Sequence, residues 1–239
     1  KYYCNGICQI KYNGRHGNKL FMYFIARLYA EKHNLNLINN IDNTFFEIKN
    51  RQKFGYYQNY NQKTYIIKDS DLIDNQLPYY GNGIYIFDGF FQNEDIFYEN
   101  KEKILSYVNL NYNKKDIFTI HVRLDDYFYP NKRHLIISID YYIYCIKKYA
   151  NNYKNIYIIC DKLRYDWEKT YMFELIKQIK LLNKIPIYTE NSLQNDIINI
   201  LQSNYIVTSN STFCFWAVFF SNPEKIILFP YVGIDVLPN

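Results

Sequence analysis

The sequence predicts an α/β protein whose C-terminal half is a doubly wound parallel sheet. Short apolar runs alternate there with segments of helical periodicity, a pattern typical of parallel strands covered by helices on both faces. Ser138 and Ser192 stand where helix N-caps belong. The predicted strands are 117–122, 156–160, 185–188, 205–208 and 226–229, and the predicted helices lie near 139–150, 164–182, 193–202 and 212–220.

The N-terminal half shows the same alternation less regularly. A glycine-flanked turn at 13–17 connects a predicted strand to a helix that starts near Asn18. The predicted strands are 7–12, 35–38 and 84–87, the predicted helices are 18–33 and 94–108, and residues 39–83 stay unassigned. Because the stretch 109–116 is polar and aperiodic, we predict two domains, 1–112 and 113–239.

Length and composition exclude several classes of protein. The chain has 239 residues, of which 49% are hydrophobic and 21% charged, so it can bury a core. No apolar run approaches the roughly 20 residues of a membrane helix. The net charge of +5 includes no basic block, which suits a phosphate-bearing small ligand better than a nucleic acid. We expect a protein of the cytoplasm, or of the host cytoplasm if it is viral, with no nucleic-acid partner and no transmembrane segment. The sequence does not indicate the oligomeric state.

Residue usage indicates the kind of genome and the state of the cysteines. Residues with A/T-rich codons are abundant, which indicates a low-GC genome of bacterial, parasitic or viral origin. Cys4 and Cys8 could pair with each other or join His16 on a metal, but further ligands at suitable spacing are missing. Reduced cysteines are therefore predicted.

Polar residues follow three predicted strands of the C-terminal half. The segment 209–213, Ser-Asn-Ser-Thr-Phe, leads into a helix, where free N–H groups and the helix dipole would attract an anion; a plain N-cap is the alternative. Arg123, flanked by His121 and Asp126, could clamp the same anion or form a surface ion pair with a neighbouring aspartate. Asp161 follows the next strand. These residues meet at one sheet edge if the sheet is parallel.

A second pattern points to a different chemistry. Asp69-Ser70-Asp71 follows a strand-like segment, and two aspartates at this spacing hold a divalent metal in some enzymes that use nucleotide sugars. Aspartates also stabilise ordinary turns, and no phosphate-binding turn adjoins this pair. A loop exposed to solvent is the preferred interpretation.

Five ordered segments resemble the alpha-1,2-fucosyltransferases, an inverting glycosyltransferase family. The segment 14–23 is similar to the family motif Gly-x-Leu-Gly-Asn-x-x-Phe-x-Tyr, and 121–127 is similar to His-x-Arg-Arg-Gly-Asp-Tyr. The other matching segments are 87–93, 134–142 and 209–217. Two positions of the second motif depart from the family, with Leu124 in place of its second arginine and Asp125 in place of glycine.

This resemblance implies a fold of the GT-B type, with two Rossmann-like domains facing a cleft. It implies transfer of L-fucose from GDP-fucose to a galactoside hydroxyl, forming an alpha-1,2 linkage with inversion and without a metal or other cofactor. The N-terminal domain would bind the acceptor and the C-terminal domain the donor.

The resemblance also implies roles for single residues. Arg123 would contact the β-phosphate of the donor, and Asp126 would orient Arg123. The chemistry of the reaction makes Asp126 a candidate for the general base as well. His121 and Asp161 would lie near the guanine, and the other residues implied in donor binding are Gly17, Asn18, Ser209, Asn210, Ser211, Thr212 and Phe213. Three alternatives stay open: another nucleotide-hexose donor, a catalytically silent carbohydrate-binding protein, and a metal enzyme using the aspartate pair.

Overall fold

The computed structural model describes residues 4–38, 41, 47–49, 63–124, 136–188, 192–221 and the backbone of 226–228. The chain forms two compact units, Lys1–Leu110 and Asn111–Asn239. Each unit has its own parallel sheet. None of the helices in the described part of the chain combines the length and the apolar character that a bilayer crossing requires.

The N-terminal unit is built on a four-stranded parallel sheet. Its strands are β1 (Gly6–Ile10), β2 (Leu35–Leu37), β4 (Thr64–Ile67) and β5 (Gly83–Phe87), in the order β2-β1-β5-β4. Two short antiparallel strands, β3 (Glu47–Ile48) and β6 (Val108–Asn109), form a separate ladder. Gly6 lies opposite Gly83 in the β1–β5 ladder, where a Cβ on Gly6 would stand 2.0 Å from the Gly83 carbonyl oxygen. The two backbones therefore pass at a distance that only glycine permits.

Helices of this unit follow the prediction with one difference. Helix α1 (His16–Lys32) is almost wholly buried, and a 3₁₀ turn occupies Asp69–Asp71. The prediction of a single helix over 94–108 was wrong. Two helices, α2 (Glu94–Glu99) and α3 (Lys101–Ser106), are separated at Asn100. The Asn100 side chain donates a hydrogen bond to the Ile96 carbonyl at 2.8 Å. It competes there with the backbone N–H four residues further on, which would bond to the same carbonyl in a continuous helix.

The C-terminal unit confirms the predicted alternation of strands and helices. Its strands are β7 (Lys115–Val122), β8 (Asn155–Cys160), β9 (Ile185–Tyr188), β10 (Ser203–Val207) and β11 (Ile226–Leu228), all parallel in the order β11-β10-β7-β8-β9. Its helices are α4 (Ile139–Tyr149), α5 (Asp166–Leu181), α6 (Leu193–Gln202) and α7 (Thr212–Phe219). The strand order reverses between β7 and β10, the point where doubly wound sheets bind ligands at their carboxyl edge.

Local sequence signals explain how these helices begin. The Ser138 hydroxyl accepts from the Asp140 N–H and the Ser192 hydroxyl from the Asn195 N–H, so both predicted N-caps are present. Helix α7 is apolar on all sides and buried from Cys214 to Phe219, as expected for a helix enclosed by the core. Its partly exposed end is therefore its N-terminus, at residues 210–213.

Candidate functional site

Three neighbouring strands of the C-terminal sheet end in polar residues. β7 pairs with β8 so that Val122 lies opposite Cys160, and Arg123 and Asp161 are the next residues along each strand. On the other side β7 pairs with β10, which runs into Ser209. The sheet therefore brings these groups to one edge, as the sequence predicts for parallel strands.

Arg123 and Asp161 form an ion pair at this edge. Arg123 Nη1 donates a hydrogen bond to Asp161 Oδ2. The arginine side chain is 12% exposed and the aspartate 33%, so the guanidinium is largely withdrawn from water. A charge-assisted bond in such surroundings is stronger and better oriented than a surface pair.

His121 is buried beside them. Its Nδ1 lies 2.6 Å from Ser209 Oγ, and its ring centroid lies 5.9 Å from that of Phe213. Burial and, to a smaller extent, the nearby positive charge of Arg123 together lower the pKa of His121 to about 3. The imidazole is therefore neutral at pH 7 and holds Ser209 through a hydrogen bond. Tyr142, a residue of α4, donates a hydrogen bond from its Oη to the backbone carbonyl of His121 at 2.9 Å.

The start of α7 completes this edge. The side chain of its N-cap residue, Ser211, accepts no hydrogen bond from the first turn of the helix, unlike the caps of α4 and α6. The Ser211 N–H donates to the Ser209 carbonyl at 2.9 Å. Asn210 is exposed, and Ser211, Thr212 and Phe213 are half-buried. The N-terminus of α7 and Arg123 thus share one edge of the sheet, and both features suit a ligand anion.

Two of the predicted donor-binding residues, Gly17 and Asn18, lie in the N-terminal unit. Both belong to the first turn of α1, which follows β1. Gly17 is buried, and Asn18 Oδ1 accepts a hydrogen bond from Gln92 Nε2 at 2.9 Å. Gln92 belongs to the segment that follows β5, so two strand ends are joined by this amide pair. Participation of Gly17 and Asn18 in donor binding stays a prediction.

The sequence analysis missed two contacts of the site. Asp126, the residue predicted to orient Arg123, lies outside the described residues, and the carboxylate that pairs with Arg123 in the structure is Asp161. The neighbouring positions of their strands were the signal that could have revealed this pair. The contact from Tyr142 depends on the packing of α4, which no sequence spacing indicates.

The carboxylates of the Asp69-Ser70-Asp71 turn are engaged by backbone donors. Asp69 accepts from the N–H groups of Phe90 and Phe91, and Asp71 accepts from the N–H of Lys68. Over the described ranges, no group of three or more histidine, cysteine, aspartate or glutamate side chains is arranged to hold a metal ion. The five cysteines all lie within the described ranges, and none of them is part of a disulfide bond there.

The fold and this edge define an α/β protein whose polar strand ends lie where doubly wound sheets bind their ligands. The model of glycosyl transferase family 11 matches residues 56–235, and the chain belongs to this family. It is 24% identical over 168 residues to an alpha-1,2-colitosyltransferase of Escherichia coli, covering 64% of this chain and 54% of that protein. The chain thus spans about half the length of this curated relative.

Two solved structures share the fold at 11% sequence identity. POFUT1 in complex with GDP-fucose aligns with a TM-score of 0.55 over 94% of this chain and 97% of its own. A mutant of Arabidopsis thaliana FUT1 in complex with GDP aligns with a TM-score of 0.53 over 91% of this chain and 69% of its own. The expected α/β class of GT-B type is confirmed, and the cleft stays a prediction.

Proposed function

We propose that the chain transfers L-fucose from GDP-fucose to a hydroxyl of a galactoside, forming an alpha-1,2 linkage with inversion and without a metal. Membership of family 11 and the fold shared with proteins solved with GDP-fucose or GDP support this proposal. The observation that carries it is the position of Arg123, 12% exposed, at the end of β7, which pairs with β10 and so shares a sheet edge with the N-terminus of α7. This pair of features suits a diphosphate leaving group.

The reaction is a single displacement. A bond forms between the acceptor oxygen and the anomeric carbon of fucose while the bond from that carbon to the β-phosphate oxygen breaks. The acceptor hydroxyl gives its proton to a base, and GDP leaves with the bonding electron pair. The transition state resembles an oxocarbenium ion, and negative charge grows on the departing diphosphate.

Fixed donors stabilise that growing charge. Arg123 and the N–H groups of the first turn of α7 are each expected to contribute about 2–4 kcal/mol in the transition state, the range found for single oxyanion-hole donors. His121 acts through its hydrogen bond to Ser209, which sets the start of α7. Since Asp161 already pairs with Arg123, Asp126 is left for the base role.

Colitose is the second candidate for the transferred sugar. It is fucose without the 3-hydroxyl, and the Escherichia coli relative is a colitosyltransferase. Leu124 stands where the family motif has a second arginine, and its side chain is 1% exposed within the core of the C-terminal unit. The donor would therefore meet one arginine at this motif, where the family motif has two. The assay below compares the two donor sugars directly.

The N-terminal unit is the proposed acceptor side. Its described carboxyl edge carries the first turn of α1 and the segment after β5, both within the segments that resemble the family motifs. The C-terminal unit would bind the nucleotide sugar.

The test is incubation of the purified protein with GDP-fucose or GDP-colitose and a panel of galactosides, with the linkage of the product read by NMR. A new alpha-1,2 bond formed with GDP release supports the proposal. Thermal shift measurements should show stabilisation by GDP and GDP-fucose but not by UDP-sugars. Sugar binding without GDP release would instead identify a catalytically silent carbohydrate-binding protein.

A further inference from the structure

The segment that follows β5 is held in place by a carboxylate from the neighbouring strand end. Asp69 lies just beyond β4, which pairs in parallel with β5. Its Oδ1 accepts from the Phe91 N–H at 2.5 Å and its Oδ2 from the Phe90 N–H at 3.1 Å. We propose that Asp69 is a positioning residue for sugar transfer, which fixes the substrate-binding segment 89–92, and that it is not a metal ligand.

The backbone of this segment requires an external restraint. Phe91 has a φ of 53°, in the left-handed region that a phenylalanine rarely adopts, and its ring is 1% exposed. Two consecutive N–H groups that point to one carboxylate offset this local strain, because each bond to a charged acceptor is stronger than one to a neutral acceptor.

Gly89 provides the space that this contact needs. A Cβ on Gly89 would stand 2.3 Å from Asp69 Oδ2, which is closer than two such atoms can approach. The carboxylate therefore fills the position of an absent side chain. The contact can therefore be disrupted in two independent ways, by a substitution of Asp69 or by a substitution of Gly89.

The consequence of the contact lies at Gln92. With 89–92 fixed, the Gln92 amide donates to Asn18 Oδ1 at 2.9 Å and so sets the first turn of α1. The ion pair between Lys11 and Asp88 also links β1 to β5, but its side chains are 68% and 39% exposed, and such pairs contribute little. Asp69 therefore adds a charged hydrogen-bond acceptor to the packing of the buried Phe91 ring, and the two together restrain this segment.

This inference rests on the proposed function, in which the carboxyl edge of the N-terminal unit, including the first turn of α1, is the acceptor side. A misplaced Asn18 or Gln92 would slow transfer without weakening the binding of GDP, which the C-terminal unit is proposed to hold. Asp71 offers a matched control: it is an aspartate of the same turn, but its Oδ2 accepts from the Lys68 N–H of that turn at 2.8 Å and, within the described part of the chain, makes no hydrogen bond to 89–92.

The experiment compares Asp69→Asn, Gly89→Ala and Asp71→Asn with the wild-type protein. For the first two variants, kcat/KM for transfer should fall by about tenfold or more, while Kd for GDP stays within about twofold. Asp71→Asn should keep wild-type kinetics. Assays run well below the melting temperature of every variant, so that a change in stability does not alter the measured rate.

Amide hydrogen exchange supplies a readout that needs no substrate. The Phe90 and Phe91 amides should exchange faster in Asp69→Asn and Gly89→Ala than in the wild-type protein. In Asp71→Asn they should exchange at the wild-type rate. Unchanged exchange in Asp69→Asn would overturn the inference, as would faster exchange with unchanged transfer. Equal loss of activity in Asp69→Asn and Asp71→Asn, restored by added Mn²⁺, would make the turn a metal site. A wild-type protein that transfers no sugar would refute the proposed function, even with the amide exchange as expected.

Discussion

Arg123 and Asp161 pair across the carboxyl ends of two adjacent parallel strands, β7 and β8. The guanidinium is therefore oriented before any donor arrives, and a charged group that is oriented in advance needs little reorganisation in the transition state. The pair also joins the residue proposed to meet the diphosphate to a residue expected at the guanine. Substitutions can separate these two roles.

Replacing Arg123 should remove most of the turnover. Arg123→Ala and Arg123→Lys should each lower kcat for transfer by about 100-fold or more, because an ammonium group cannot reproduce the planar fork of a guanidinium. Steady-state kinetics with GDP-fucose checks this. Lys177→Ala, which removes a charge from the exposed face of α5, is the control and should keep wild-type turnover. Near wild-type transfer by Arg123→Ala would exclude Arg123 from the mechanism.

Replacing Asp161 distinguishes two roles for this residue, orientation of Arg123 and contact with the guanine of the donor. Asp161→Asn should lower kcat by about tenfold and leave Kd for GDP no weaker, since the arginine loses its orienting partner while the site loses a negative charge. Calorimetric titration with GDP beside the kinetic assay measures both. A guanine-binding role instead predicts GDP affinity reduced by about tenfold with little change in kcat.

The two serines at helix starts should behave oppositely. Ser192→Ala should lower the free energy of unfolding by about 1 kcal/mol and leave GDP binding unchanged, because its hydroxyl caps α6. Ser211→Ala should change stability little and weaken GDP binding, because its hydroxyl caps nothing in α7. Urea denaturation and GDP titration of both variants test this. Equal loss of stability in the two would make Ser211 an ordinary cap.

The buried histidine should make stability depend on pH. The unfolded chain protonates His121 near pH 6.5, whereas the folded protein keeps it neutral down to about pH 3. Between these values the unfolded state binds more protons, so the free energy of unfolding decreases as the pH falls. The contribution approaches about 1.4 kcal/mol per pH unit.

Urea denaturation between pH 4 and 7 measures this contribution. His121→Gln should show a shallower decrease than the wild-type protein, by up to one proton's contribution. Identical slopes in the two proteins would show that the imidazole is accessible to protons in the folded state.

Removal of divalent ions should leave transfer intact. The described aspartates that could form a metal site, Asp69 and Asp71, already accept backbone hydrogen bonds. Activity after EDTA treatment should therefore stay within about twofold of the untreated enzyme, since fixed donors stabilise the leaving group. Loss of activity in EDTA with recovery in Mn²⁺ would establish a metal-dependent reaction.

Much of the C-terminal unit could be predicted from its sequence. Its inner strands β7, β8 and β10 are largely buried and appear as short apolar runs, and serine caps mark α4 and α6. The N-terminal unit was harder to predict because local competition decides its details. Asn100 divides a helix through one side-chain bond, and the four-residue strand β4 lies in a polar region without clear periodicity.

The candidate site was predictable as a set of strand ends and less so as a set of contacts. The positions of Arg123, Asp161 and Ser209 follow from the order of parallel strands. The partner of Arg123 did not follow, because a sequence places several aspartates within reach of one guanidinium and only the strand register selects among them. The roles proposed for these residues remain predictions.

The close contact between Gly6 and Gly83 lies at the end of the N-terminal sheet opposite to the candidate site. The two strands that lead into α1 and into the segment 89–92, β1 and β5, both start at this glycine contact. Any side chain on Gly6 would push β1 and β5 apart. Libraries of random variants should therefore tolerate changes at these two positions as poorly as at the reacting centre, although neither glycine has a functional group to offer.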